Sequence, residues 1–252
     1  MLKLVNIVRK GEGEMNAPNM TVSAVDPDVK WLYRVGGISA IAFGIAYVVI
    51  IALYVRMGAR PSGAEAWLTY IAGNTTAWRA ILGLSVLTDF LLVPIALSLY
   101  VTLKGINKHA MLLAAAFIGL FVVLDLALTW TNYASLIALS GSYAAAANDV
   151  QRTAIVAAAN YPSLVVVSNL LFVYNSLTLA VGILMTGIVM LKGIFSHSTA
   201  YLGLATGALG IVSVASSPLA GSVSSVSIIL ASALTTVWFL FVGYRLFRLG
   251  QP

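Results

Sequence analysis

The sequence predicts an all-α fold, a polytopic bundle of transmembrane helices. Of its 252 residues 60% are hydrophobic and only 9% are charged, whereas a soluble domain has about 25% charged residues. Six separate stretches are also long and apolar enough to cross the hydrocarbon core, which needs about 20 residues. So few charges cannot cover a soluble core of this size, and we expect the lipid bilayer to surround the protein instead.

The six predicted spans occupy one transmembrane domain, residues 30–252, which follows a polar tail over residues 1–29. The spans cover roughly 33–55, 80–103, 110–133, 163–190, 199–217 and 224–245. The tail lacks the apolar run of a signal peptide, so we expect it to stay in the cytoplasm. Asp26-Pro27-Asp28 has the composition of a helix start and predicts that the first helix begins there.

Three connections are short (104–109, 191–198 and 218–223), and two are long (56–79 and 134–162). Each long connection is predicted to contain a short helix. The first covers residues 64–71 and lies on the membrane surface, with Trp67 at the level of the headgroups. The second covers residues 149–159, with Asp149 as its cap, and ends before Pro162.

The basic residues predict the orientation. With the N-terminus in the cytoplasm, ten of the fourteen Lys and Arg residues fall on the inner side: Lys3, Arg9, Lys10, Lys30, Arg34, Lys104, Lys108, Lys192, Arg245 and Arg248. Four fall on the outer side: Arg56, Arg60, Arg79 and Arg152. This excess places both termini in the cytoplasm of a plasma-membrane protein and the two long connections outside. Because the basic residues are scattered rather than clustered, nucleic acid is not an expected partner.

Small residues recur every four positions on two of the spans. Gly36, Ala40 and Gly44 share one face of the first span, and Gly203 and Gly207 share one face of the fifth. This spacing lets helix backbones approach closely. Packing within one chain and contact with a second membrane protein, including another copy of this chain, both fit the pattern.

Two carboxyls, Asp89 and Asp125, are predicted to lie deep in the membrane. They stand about 17.5 and 18.5 residues from the centre of the 104–109 turn, so a helical hairpin brings them to within about 1.5 Å in height. No Lys or Arg lies at that depth in any span. Burial then favours the protonated form of each carboxyl, and two carboxyls in contact share one proton. A proton or cation site and a purely structural pair both remain open.

Further polar side chains occupy the same region of spans two to four: Ser85, Thr129, Asn132, Asn169 and Asn175. Together with the two carboxyls they are predicted to line a polar cavity between those spans. The alternative is that they act only as hydrogen-bonded contacts between helices.

Enzymatic signatures are missing from the sequence, so no catalytic residue is predicted. Cysteine is absent, which excludes thiolate metal sites and iron–sulfur clusters. His109 and His197 lie at the inner interface without further ligands nearby in the sequence. We therefore expect neither a metal nor a cofactor.

Two segments carry a resemblance to a known family. One runs from Asn74-Thr75-Thr76-Ala77-Trp78-Arg79 through Asp89 and Leu99-Tyr100 to Lys104-Gly105-Ile106-Asn107-Lys108 and Leu112-Leu113-Ala114-Ala115-Ala116-Phe117. The other runs from Gly182-Ile183-Leu184-Met185 to Tyr201-Leu202-Gly203. The chain resembles a family of six-span membrane proteins of bacteria and archaea that is defined only as a domain of unknown function. The resemblance covers most of residues 33–217 and implies the six-span layout, but no activity.

Three classes of function fit these features. The first is binding or coupled transport of a small solute, proton or cation through the deep polar cluster. The second is a structural or accessory subunit that packs against another membrane protein. The third, less expected, is a membrane enzyme with a lipophilic substrate.

Overall fold

The computed structural model describes residues 29–219 and 221–251, and every regular element in these ranges is helical. The helices are α1 Lys30–Met57, α2 Ala64–Ala72, α3 Thr75–Leu124, α4 Thr131–Ala144, α5 Asp149–Val165, α6 Asn169–Met190, α7 His197–Ser216 and α8 Gly221–Leu249. A π-helical turn, Asp125–Trp130, joins α3 to α4. The all-α class is confirmed, whereas the predicted helix start at residues 26–28 lies outside the described residues.

Helix α3 consists of two arms that meet at Asn107. The backbone angles of Asn107, φ −152° and ψ 93°, are not helical, and its side chain accepts a hydrogen bond from the Ala110 amide at 3.0 Å, as the first residue of a new helix does. The rings of Trp78 and Tyr133 stack with their centroids 5.1 Å apart. A straight helix would separate these positions by about 80 Å, so the chain folds back at Asn107, within the predicted 104–109 connection.

Within the described part of the chain, five helical segments are long and apolar enough to cross a membrane: Lys30–Met57, Thr75–Ala144, Asp149–Met190, His197–Ser216 and Ser222–Leu249. The 70-residue segment Thr75–Ala144 includes the fold-back at Asn107. These segments agree with the predicted class, a polytopic membrane protein.

Helices α1, α8, α7, α6 and α3 pack in this order into a closed ring, because α3 contacts both α6 and α1. A core of large apolar side chains fills the ring, among them Phe43, Ile95, Ile183 and Trp238. Helices α2, α4 and α5 contact one another and cover one end of the ring. This cap has its own core, which we call the aromatic cluster: Trp67, Trp78 and Tyr133, with the partly buried Tyr54, Tyr70 and Trp130 against it.

The end of the ring away from the cap gathers the basic residues, and we call it the basic end. Here Arg34 donates to the Gly250 carbonyl and Arg245 donates to the Ile194 carbonyl at 2.9 Å. Gly193 packs against Ile106, so the α3 turn and the α6–α7 connection lie side by side. Seven described basic residues belong to these segments: Lys30, Arg34, Lys104, Lys108, Lys192, Arg245 and Arg248.

Both small-residue faces pack within the chain. A Cβ atom at Gly44 would lie 2.5 Å from the side chain of Leu240, and one at Gly207 would lie 2.6 Å from the Cβ of Leu184. Gly203 lies against the indole of Trp238 in the same way. The pattern fitted either packing within one chain or contact with a second membrane protein. The contacts observed are those of packing within one chain, because other helices cover both faces.

The short helices differ from their predictions in three respects. Helix α2 forms where predicted, but it does not lie free on the surface, because α4 and α5 pack on it and Trp67 is fully buried; the level of Trp67 relative to the headgroups stays a prediction. Asn148, not Asp149, caps α5 by accepting from the Gln151 amide at 2.9 Å. Helix α5 also continues past Pro162 to Val165, and the following span begins at Asn169 rather than at residue 163.

Candidate functional site

Asp89 and Asp125 face each other across the hairpin of α3. Each carboxyl stands 18 residues from Asn107, one on each arm, so the two lie at the same height along antiparallel helices. Their side chains are only 3% and 6% exposed, respectively. Along these arms the nearest basic residues are Arg79, ten residues before Asp89, and Lys108, 17 residues before Asp125, so each lies several helical turns away. Among the described residues the two acidic side chains are therefore buried together without an adjacent cation on their own arms.

Both oxygens of Asp125 accept hydrogen bonds. Trp130 Nε1 donates to Oδ2 at 2.9 Å, and Asn175 Nδ2 donates to Oδ1 at 2.5 Å. The same amide nitrogen also donates to the hydroxyl of Thr129 at 2.7 Å. These donors make ionisation of Asp125 less costly than that of a buried carboxyl without them, and the amide connects α6 to the π-helical turn.

The π-helical turn is what brings Trp130 to Asp125. In an α-helix a residue five positions further on lies about 140° around the axis, whereas the i→i+5 pattern of a π-helix returns it to nearly the same side. The Thr131 hydroxyl donates to the Leu126 carbonyl over the same five-residue interval, at 2.8 Å. Sequence reasoning missed Trp130 because the α-helical period places it away from Asp125, and no residue type in 125–130 predicts a π-turn.

Asp89 differs from Asp125 in having a free oxygen. The indole N–H of Trp130 also lies close to the Asp89 carboxyl, so one ring connects the two acids. Asp89 Oδ2 and Asn175 Oδ1 are buried and have no hydrogen-bond partner among the described residues. Two acceptor atoms inside the protein are thus open to a proton or to a donor.

The titratable groups that face this pair from other elements are tyrosines. Tyr47 of α1 lies near both carboxyls, while Tyr54 of α1 and Tyr133 of α4 lie near Asp125. Tyrosine carries no positive charge in either protonation state. The titratable side chains that other helices place near the pair are therefore neutral groups that can form hydrogen bonds.

A cavity of about 130 Å³ lies inside the ring, next to this pair. Its polar lining comes from α1, α6, α7 and α8: Tyr47, Asn175, Ser176, Thr206, Ser232 and Thr235. Its apolar lining consists of Leu179, Ala180, Ile183, Gly210, Ile228 and Ala231. A cavity was predicted between spans two, three and four. The observed cavity lies elsewhere, because of those three spans only α6 contributes to its described lining. Asn175 belongs to both the cavity and the carboxyl pair.

The structure brings together Asp89, Asp125, Thr129 and Asn175 of the seven residues predicted for the site. Ser85 is buried one turn before Asp89 on the same arm. The other two are elsewhere: Asn132 donates to the Leu128 carbonyl of its own helix at 2.6 Å, and Asn169 is exposed at the start of α6. The described residues contain no group of three His, Asp or Glu side chains that could hold a metal ion.

Comparison with protein-family models, with curated proteins and with solved structures finds no match to this chain. The resemblance to a family of six-span membrane proteins therefore stays a prediction, and the site has to be interpreted from its own geometry.

Proposed function

We propose that the chain crosses the plasma membrane six times, with both termini in the cytoplasm. The fold-back at Asn107 supports counting Thr75–Ala144 as two spans. The distribution of charge supports the orientation, because seven described basic residues lie at the basic end and four at the opposite end. Under the positive-inside rule the basic end faces the cytoplasm and the cap of α2, α4 and α5 faces outward.

We propose further that the Asp89–Asp125 pair is a proton-binding site that couples to movement of a small solute or cation. The observation that carries this proposal is the asymmetry of the pair: Asp125 has donors on both oxygens, and Asp89 has a buried oxygen with none. Two ionised carboxyls in a low-dielectric interior repel each other strongly. The pair therefore holds one proton at neutral pH, on Asp89, with the charge on Asp125.

Ionisable groups inside a membrane are costly and are typical of ion and proton pathways. A purely structural pair would be expected to have all of its buried polar atoms hydrogen-bonded. The two unpartnered acceptors and the adjacent cavity favour binding over a structural role.

The alternative of an accessory subunit has less support, since the small-residue faces that would bind a partner are covered within the chain. An enzyme acting on a lipophilic substrate would need a general base in contact with the cavity, and the charged residues of the described chain lie outside its lining.

Infrared spectroscopy of the purified protein tests the proton site directly. We expect a C=O stretch of a protonated carboxyl at neutral pH, which disappears in Asp89→Asn. Asp149→Asn, at an exposed position, is the matched control and keeps the band. Absence of a protonated carboxyl at neutral pH in the wild-type protein would exclude the proposal.

A further inference from the structure

The cavity between α1, α6, α7 and α8 has a lining whose chemistry points to one class of ligand. We infer that it binds a small primary ammonium ion, whose N–H groups contact hydroxyl oxygens of α7 and α8. The inference deepens the proposed function, on which it rests for the charge of the neighbouring pair, and it names the cation that exchanges with the proton.

The hydroxyl groups that α7 and α8 contribute to the cavity wall offer acceptors rather than donors. Thr206, Ser232 and Thr235 each donate their proton to the carbonyl four residues earlier in their own helix, at 2.7–2.8 Å. A hydroxyl has one proton to donate and two lone pairs. With the protons engaged, the oxygens of α7 and α8 can only accept hydrogen bonds from a ligand.

The charge near the cavity also selects a cation. Among the residues that the structure describes, no Lys, Arg or His lines it, and Asn175, which is part of the wall, donates to Asp125. A positive ligand there would stand one hydrogen-bonded group away from a carboxylate in the membrane interior, where screening by water is weak. An anion would meet the acceptor oxygens of α7 and α8 and a nearby negative charge, and both disfavour its binding.

Size and surface decide between a metal ion and an organic cation. The volume of about 130 Å³ has room for about ten water-sized positions, so one bare metal ion would leave most of it unfilled. Half of the lining residues are apolar, which suits a short alkyl group. Both features fit an ammonium group that carries a small hydrocarbon part.

The cation and the proton should compete. Each adds one positive charge to the same low-dielectric region, so occupation of the cavity favours loss of the proton from Asp89. The affinity for the ammonium ion is therefore expected to rise with pH over the range in which the pair loses its proton. Such competition is the basis of exchange of one cation for another rather than of joint transport.

Calorimetric titration of the purified full chain in detergent tests the inference with two probes of equal charge. Methylammonium has three N–H donors and tetramethylammonium has none. We expect binding of methylammonium, tighter at pH 8 than at pH 6, and at least tenfold weaker binding of tetramethylammonium. Equal binding of the two probes, or no binding of methylammonium, would overturn the inference.

Two substitutions test the acceptors. Thr206→Val and Thr235→Val each remove one hydroxyl and keep the shape of the side chain. Each is expected to weaken methylammonium binding about tenfold, the effect of losing one hydrogen bond to a charged group. Thr186→Val is the matched control, since Thr186 is buried in α6 and donates to the Gly182 carbonyl at 2.8 Å but does not line the cavity. Unchanged binding in both cavity variants would contradict the assigned contacts.

The two proposals fail in different ways. If a protonated carboxyl is present at neutral pH but methylammonium does not bind, the ammonium site is wrong and the proton site stands. If methylammonium binds and the threonine variants weaken it, but the infrared band is absent, the cavity assignment stands and the coupled proton is wrong.

Discussion

Asp89→Asn is the substitution that isolates the proposed proton. The amide has nearly the same size and shape as the carboxyl, and it cannot ionise. Asp89 Oδ2, which the amide NH₂ group can replace, has no hydrogen-bond partner among the described residues. The substitution therefore removes no hydrogen bond at Oδ2. Asp125→Asn, in contrast, would place an NH₂ group against the donor of Trp130 or of Asn175. We therefore expect Asp89→Asn to fold.

The size of the effect follows from the number of protons. In the unfolded chain both carboxyls ionise near pH 4, the ordinary value for aspartate. In the folded protein the pair retains one proton at neutral pH, so the folded state binds one proton more than the unfolded state. Stability then falls as pH rises, by about 1.4 kcal/mol per pH unit. Between pH 5 and pH 7 the wild-type protein should lose about 2.7 kcal/mol, and Asp89→Asn should lose none of this.

Thermal unfolding in detergent at pH 5, 6 and 7 measures this slope. For a chain of this length the wild-type change corresponds to roughly 5 to 10 °C in the midpoint. Asp149→Asn, at an exposed site outside the pair, should keep the wild-type slope. A wild-type midpoint that does not depend on pH, or a slope that persists in Asp89→Asn, would refute the shared proton.

Three further predictions concern packing, orientation and the site. Gly207→Ala places a methyl group 2.7 Å from a backbone carbonyl of α6 and should destabilise the protein by about 1–3 kcal/mol; Gly83→Ala, which meets nothing within 4 Å, should be neutral or stabilising by up to about 1 kcal/mol in the same unfolding assay. Cysteines introduced at the exposed Ser62 and Ser142 should react with an impermeant reagent added to intact cells, and labelling only after lysis would reverse the orientation. Asn175→Asp adds a third carboxyl beside the pair, so the pH slope of stability should rise to about 2.7 kcal/mol per pH unit; an unchanged slope would show that position 175 is not coupled to it.

The fold class and the depth of the carboxyls could be predicted because both depend on simple periodic quantities. Apolar stretches of about 20 residues identify candidate spans, and a constant rise per residue fixes the height of Asp89 and Asp125 on either side of a turn. The turn itself lies where charged and polar residues interrupt the apolar pattern, at Asn107. None of these inferences required knowledge of which helices are neighbours.

The neighbours are what the sequence did not reveal. Hydropathy shows that a helix has an apolar face but not which helix covers it, so the burial of Trp67 under α4 and α5 was not predicted. The cavity was misplaced for the same reason, because sequential spans were assumed to be adjacent, whereas α1 packs against α8 and closes the ring. Asn169 was likewise expected in the cavity, but it lies exposed at the start of α6.

The π-helical turn increases the asymmetry of the carboxyl pair. An uninterrupted α-helix through Asp125 would direct Trp130 away from it, and the carboxyl would keep only Asn175 and Thr129 as hydrogen-bond partners. The difference between the two acids would then be smaller. By returning Trp130 to the side of Asp125, the turn supplies the donor to Oδ2; in the proposed site this contact favours the charge on Asp125 and leaves the proton to Asp89. A local departure from α-helical geometry thus gives two chemically identical side chains different surroundings, and π-turns are frequent at functional sites.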